Sequence, residues 1–225
     1  MTFDIQHSFE SIGAELQIET HGNAFEIDIR RDGKRELFAL QYPLDDVITA
    51  EVIDVHANRR HLVLDVTGWR LPISGRYLCG HDERHWFVAA VPFHRRTGTV
   101  RGAMEMLKPE IVLREQKRKG VKHRRYRRKT AAYVRQGEWF FLPRPKMQVD
   151  EAMVQRNARL VRDGGKPHFV DRLCHSRDGN LTFVSGNVSH PDHATLHLDV
   201  WHRVVRNNEP EPAQEQPFMR MAYVD

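Results

Sequence analysis

Apolar and polar positions alternate with period two through much of residues 14–92. Leu16 and Ile18 share one face of Ala14–Thr20, and Phe25, Ile27 and Ile29 share one face of Phe25–Arg31. Successive side chains of a strand point to opposite faces, so both stretches read as half-buried strands. Asp32-Gly33 separates the second from Glu36–Tyr42 and signals a hairpin, because glycine accepts the positive φ of a tight turn. Ile48–Val55 and His61–Val66 predict a second hairpin around Ala57-Asn58. Gly75–Cys79 and His85–Val91 predict a third. Strands this closely spaced imply an antiparallel sheet or a half-open barrel.

The period changes near Thr99. Val100, Ala103, Met104 and Leu107 recur at helical spacing behind a residue able to cap. Pro109 suits the first turn of a second helical segment, which Ile111 and Val112 anchor and Gly120 breaks. Strand pattern returns over Ala131–Arg135 and Glu138–Leu142 and stops at Pro143 and Pro145. Asp150–Arg162 reads as a short helix capped by Asp150. His168–His175, Leu181–Ser189 and Ala194–Arg206 read as three further strands. The expected class is α+β: mostly antiparallel β, in two sheets or a half-open barrel, with a short central helical segment. The expected organisation is a β-rich domain over 1–92, a helical and basic connector over 93–130, a β-rich domain over 131–206 and a loose tail over 207–225.

Composition agrees with a globular chain. Hydrophobic residues make up 40% of the 225 and charged residues 29%, enough to build a core. Cys79 and Cys174 form no close pair. The opening MTFDIQHSFE has neither a basic nor an apolar leader pattern, and no apolar run approaches the ~20 residues that cross a bilayer. These features predict a cytoplasmic protein with free thiols and no membrane partner.

Charge changes the picture most. The net charge is +5, yet Arg114–Lys129 alone carries ten Lys/Arg against Glu115, a local +9 that leaves −4 for the remainder. Such a block destabilises a helix by like-charge contacts, unless water or an anion compensates it. Phosphates release condensed counterions when cations neutralise them, and the arginine fork bonds two phosphate oxygens at once. The expected nucleic-acid-binding residues are Arg114, Lys117, Arg118, Lys119, Lys122, Arg124, Arg125, Tyr126, Arg127, Arg128, Lys129 and Arg135, with Tyr126 able to stack on a base. RNA is favoured over DNA, because a sheet-rich body with exposed aromatics suits single strands. The protein would act alone or beside other subunits of a nucleoprotein. The plain alternative is a solvated basic linker between two sheets. The run lacks the apolar face of a membrane-surface helix, and the chain has no zinc-finger spacing, RNP string or GXXG clamp.

Three strings, LCGHDERHWFVAAVP (Leu78–Pro92), VRQGEWFFLPRP (Val134–Pro145) and HPDHATLHLDVWHRVVRN (His190–Asn207), resemble segments of a set of uncharacterised bacterial proteins. The resemblance implies a bacterial protein and carries over no functional residue.

Fourteen histidines invite a second chemistry. Cys174, His175, His190, His193, His197 and His202 fall late in the chain, with Asp192 and Asp199 among them. On a strand, Thr195, His197, Asp199 and Trp201 share one face, and Leu196, Leu198 and Val200 the other. His193 and His197 would then stand ~13 Å apart. His190-Pro191-Asp192-His193 reads as a turn that lets His190 and His193 converge. A zinc site there would need Cys174 or His175 from the neighbouring strand, and no metal or cofactor is assigned. His193-Ala194-Thr195-Leu196 resembles the HxTx element of two-histidine phosphoesterases, which use two such copies where this chain has one. That likeness implies an alternative function, phosphodiester cleavage, with His193, Thr195 and His190 catalytic and His197 close by. Two smaller features complete the reading. Asp82–His85 is expected as a turn with local ion pairs. Phe140, in Trp139-Phe140-Phe141, is either an exposed stacking platform or part of a strand buried on both sides.

Overall fold

The computed structural model describes residues 4–33, 35–44, 47–68, 74–82, 84–92, 94–121, 128–162, 166–210 and 219–221. The chain divides into two compact units. One comprises Met1–Leu107 with Asn208–Val224, the other Lys108–Asn207 with Asp225. The division falls inside the stretch read as a connector, and of the tail read as loose, residues 208–210 and Met219–Met221 belong to the first unit.

The first unit begins with α1 (Ile5–Ser11). The Asp4 carboxylate caps it by accepting from the Gln6 and His7 amides. Strands β1 (Glu15–Thr20), β2 (Phe25–Asp32) and β3 (Arg35–Tyr42) form a sheet with the late strand β14 (Met219–Met221), in the order β1-β3-β2-β14. The β2–β3 hairpin closes at the Asp32-Gly33 signal, with Asp32 opposite Arg35. β1 runs parallel to β3, and β14 parallel to β2. A second sheet is the antiparallel meander β4 (Ile48–His56), β5 (His61–Gly68), β6 (Ser74–Asp82) and β7 (His85–Ala90). Phe25, Ile27 and Ile29 point inward as the alternation requires, and meet Phe9, Phe38, Leu62, Leu64, Cys79 and Trp86 in one core. Burial raises the Cys79 thiol far above its usual range, so that cysteine is inert. Helix α2 (Val100–Met106), capped by Thr99, packs Val100 and Ala103 against Val63 and Leu78. The chain returns through Asn208, whose amide donates to the Leu107 carbonyl. Glu209 then accepts the Ala90 amide at 2.9 Å.

The second unit opens with α3 (Glu110–Arg118) and then builds one antiparallel sheet from β8 (Val134–Gln136), β9 (Trp139–Pro143), β10 (Gln155–Leu160), β11 (His168–His175), β12 (Thr182–His190) and β13 (His193–Arg206). Its order is β10-β11-β12-β13-β9-β8. Phe141, Leu160, Val170, Val184, Val188 and Leu198 fill the core on one face. Two expectations change and one choice is decided. Among the described residues the strands form three sheets, mostly antiparallel as the α+β class requires, in place of two sheets or a half-open barrel. Asp150–Arg162 is not a helix: Asp150 caps only the 3-10 turn Glu151–Met153, and the rest pairs with β11 as edge strand β10. Ladder pairing outweighs the helix preference of Gln155, Arg156, Ala158 and Arg159. Phe140 is not a platform. It is 3% exposed and lies edge-on to Tyr133 at 5.1 Å, so β9 is buried on both faces.

Among the described residues, no helix is long and apolar enough to cross a membrane.

Candidate functional site

The basic stretch is built on α3. Its inner side is fixed by Val112, fully buried against Ala132, Tyr133, Phe140 and Leu142, and by the buried Gln116. That packing leaves Arg114, Lys117, Arg118 and Lys119 exposed. Two acids temper them. Glu110 lies 3.6 Å from Arg114, and Glu115 takes Arg118 at 2.6 Å and Arg144 at 3.8 Å. Such exposed pairs contribute little and rearrange readily for a stronger anion. The helix stops where Gly120 adopts φ +62°. The Gly120 amide donates to Lys117 and the Val121 amide to Gln116, a glycine C-terminal motif. Val121 then joins the Val112 cluster.

Lys122, Arg124, Arg125, Tyr126 and Arg127 lie outside the described residues, as does His123. Residues 128–130 belong to the same unit as α3. Lys129 bridges to Val134, and the Thr130 amide donates to the Tyr133 carbonyl at 2.8 Å. Arg135 is half-buried, with Nη1 donating to the Gly137 carbonyl at 3.2 Å.

Charge separates the two units sharply. The second holds 22 Lys/Arg against 11 Asp/Glu, or +11, and the first 13 against 19, or −6. Arg203 registers this crowding: burial, then Arg144 and Arg114, depress its pKa below the usual guanidinium range. A cation so placed gains from an anion nearby.

A second site forms where three strand ends meet. His168 starts β11, His190 ends β12 and His193 starts β13. Pairing of Phe169 with Ser189 and of His190 with His193 brings the rings together. Donor nitrogens of all three lie within 4.8 Å of one another. The rings of His168 and His190 stack with centroids 4.3 Å apart, and His193 sits 4.9 Å from His190. Exposure is 0%, 6% and 9% in chain order. His168 makes no hydrogen bond to a described residue through either ring nitrogen. Burial, and then its two histidine neighbours, hold its pKa down to about 3, so the ring is neutral at physiological pH. The Asp192 amide donates to His190 Nδ1 at 3.2 Å, and the Asp192 carboxylate pairs with Lys166 at 2.6 Å. Gly137, at φ +53°, borders the group: a Cβ there would stand 3.4 Å from His193 Nε2 and 3.5 Å from His168 Nε2.

Sequence reasoning brought His190 and His193 together but supplied the wrong third member. Cys174 is buried among Phe183 and Trp201 at the far end of β11, and His175 is exposed there, about 20 Å along the strand from His168. Thr195 is exposed and outside the group. His197 is exposed too, bonded to Asn187 at 2.9 Å and near Asp199. His202 is buried and bonds the Val200 carbonyl. A signal for His168 existed. Antiparallel pairing of His168–His175 with the following strand places His168 beside His190 once the bulge between Val170 and Arg172 is counted.

The charged knot of the first unit is less local than expected. His85 Nδ1 lies 2.6 Å from Glu36 of β3, and Glu36 also accepts the Trp86 amide and Arg31 Nε, both at 3.0 Å. Arg31, Arg35, His81 and Arg84 join them around a cleft of about 360 Å³.

Compared with known protein families, curated proteins and solved structures, the chain matches none.

Proposed function

We propose that this protein binds nucleic acid, RNA in preference to DNA, through the exposed side of α3 and the basic segment that follows it. One observation carries the reading: both ends of the +9 segment belong to the same unit. The plain alternative, a solvated basic linker between two sheets, predicts no binding. Helix α3 before it and the Lys129 bridge after it both belong to the +11 unit, so the segment begins and ends in the field of that unit. The wide exposure of Arg114 and Arg118 leaves them free to exchange their glutamates for phosphate. The preference for RNA rests on Tyr126 within the segment and on a body made of sheet. Phe140 does not support it. Assembly with other subunits of a nucleoprotein is compatible with this reading.

Phosphodiester cleavage draws less support. Of its residues, only His190 and His193 share a site, and Thr195 is not beside them.

Anisotropy with labelled single-stranded RNA, single-stranded DNA and duplex DNA at 50 mM salt tests the proposal. Binding to all three is expected, with single-stranded RNA tightest. Absence of binding to every probe refutes it, and equal affinity for all three removes the preference for RNA.

A further inference from the structure

We propose that His168, His190 and His193 form a binding site for a divalent transition metal ion, with zinc the best-matched ion. The inference is independent of nucleic-acid binding.

The donor set decides the class of ion. Three imidazoles converge, with donor atoms already within 4.8 Å of one another. At Zn–N distances of ~2.0–2.1 Å, tetrahedral donors stand about 3.3–3.5 Å apart, so side-chain shifts of about 1 Å bring all three imidazoles onto one ion. Imidazole suits zinc, copper, nickel and iron, whereas magnesium and calcium take oxygen. The nearby carboxylate, Asp192, is held by Lys166. Three protein ligands leave a fourth position open, as in zinc sites that bind water or substrate.

Two further observations point to a ligand. His168 is fully buried, yet neither of its ring nitrogens bonds a described residue. Buried polar groups in folded proteins are almost always satisfied, and a metal satisfies this one. Gly137 then borders the donors closely. A Cβ there would touch Nε2 of His193 at 3.4 Å and of His168 at 3.5 Å, so a side chain at this position would crowd both donor nitrogens.

One contact opposes the ion. His190 Nδ1 accepts the Asp192 amide, which places the ring proton on Nε2. Coordination through Nε2 needs that proton on Nδ1, so the 3.2 Å contact opens as metal enters. No redox step is involved.

The test uses the full chain, without a histidine tag, stripped by chelator. Cobalt(II) is titrated as the probe, followed by zinc. One equivalent of cobalt is expected to give the intense visible bands of a tetrahedral complex, and zinc to displace it. X-ray absorption of the zinc-loaded wild type is expected to show three imidazole ligands. His193→Gln should weaken cobalt binding about a hundredfold or more, by analogy with the removal of groups around other metal sites, and His197→Ala should leave it unchanged. No uptake at one equivalent overturns the proposal. So does a coordination sphere containing sulfur, or one with fewer than three imidazoles. Wild-type affinity in a folded His193→Gln variant would do the same. Should that variant fail to fold, the ligand count in the wild type decides.

Discussion

The Arg128 carbonyl accepts the amide proton of Arg135 at 2.6 Å. This bond and the Lys129–Val134 bridge hold the end of the basic segment beside β8, while the Gly120 motif holds its start at α3. Six cations of the segment, Arg114, Lys117, Arg118, Lys119, Arg128 and Lys129, are thus held on one unit although like charges repel. The packing beneath α3 offsets that cost, and an anion would relieve it.

That packing can be weakened without touching charge. Val112→Ala removes two buried methyl-sized groups from the cluster under α3 and should cost about 2 kcal/mol. Thermal unfolding should shift down by several degrees. Affinity for single-stranded RNA, measured well below the new midpoint, should stay within about threefold, because charge and not fine packing sets it. Calorimetry and anisotropy on one preparation check both halves, and a large drop in affinity would show that α3 must be rigid to bind.

Gly102 offers a reversal of sign. On helix propensity alone, Gly102→Ala should stabilise α2 by about 1 kcal/mol. In the structure a Cβ there would stand 1.7 Å from the Arg96 carbonyl oxygen. Overpacking against backbone should instead cost about 1–3 kcal/mol. A urea midpoint that falls supports the packing around α2, and one that rises contradicts it.

Glu36 links pH to the stability of the first unit. Burial favours its neutral form, but the Trp86 amide, His85 and Arg31 together prevail and hold the carboxyl below the usual range. A depressed carboxylate stabilises the folded state above its unfolded pKa, near 4.5, and that contribution disappears as pH falls through the folded value. Wild type should therefore exceed Glu36→Gln in melting temperature at pH 7, and the gap should close below about pH 4.5. A gap that persists unchanged to pH 3 would assign the difference to packing.

Much of this fold is legible from local pattern. Alternation through Phe25, Ile27 and Ile29, the Asp32-Gly33 turn and the Thr99 cap each express a local preference, and each appears where expected. What escapes is pairing between distant segments. The parallel partners of β1 and β2 leave no local trace, and β10 hides in residues that favour helix. On β13, the inward face runs Leu196, Leu198 as predicted. A bulge facing Val184–Gly186 then brings both Trp201 and His202 into burial. The histidine site divides the same way. His190 and His193 are joined by a four-residue turn, whereas His168 arrives only through strand register.

The central claim is that the cations of the basic segment bind phosphate, and the salt dependence of binding tests it most directly. With about six phosphates neutralised, wild-type affinity for single-stranded RNA should fall about 300-fold between 50 and 200 mM salt. Arg124, Arg125, Arg127 and Arg128, replaced together by Gln, should leave the melting temperature unchanged or slightly raised. The slope of log affinity against log salt should become shallower by about 0.7 for each phosphate that the variant leaves unneutralised. A slope equal to the wild type's in a folded variant would contradict the account.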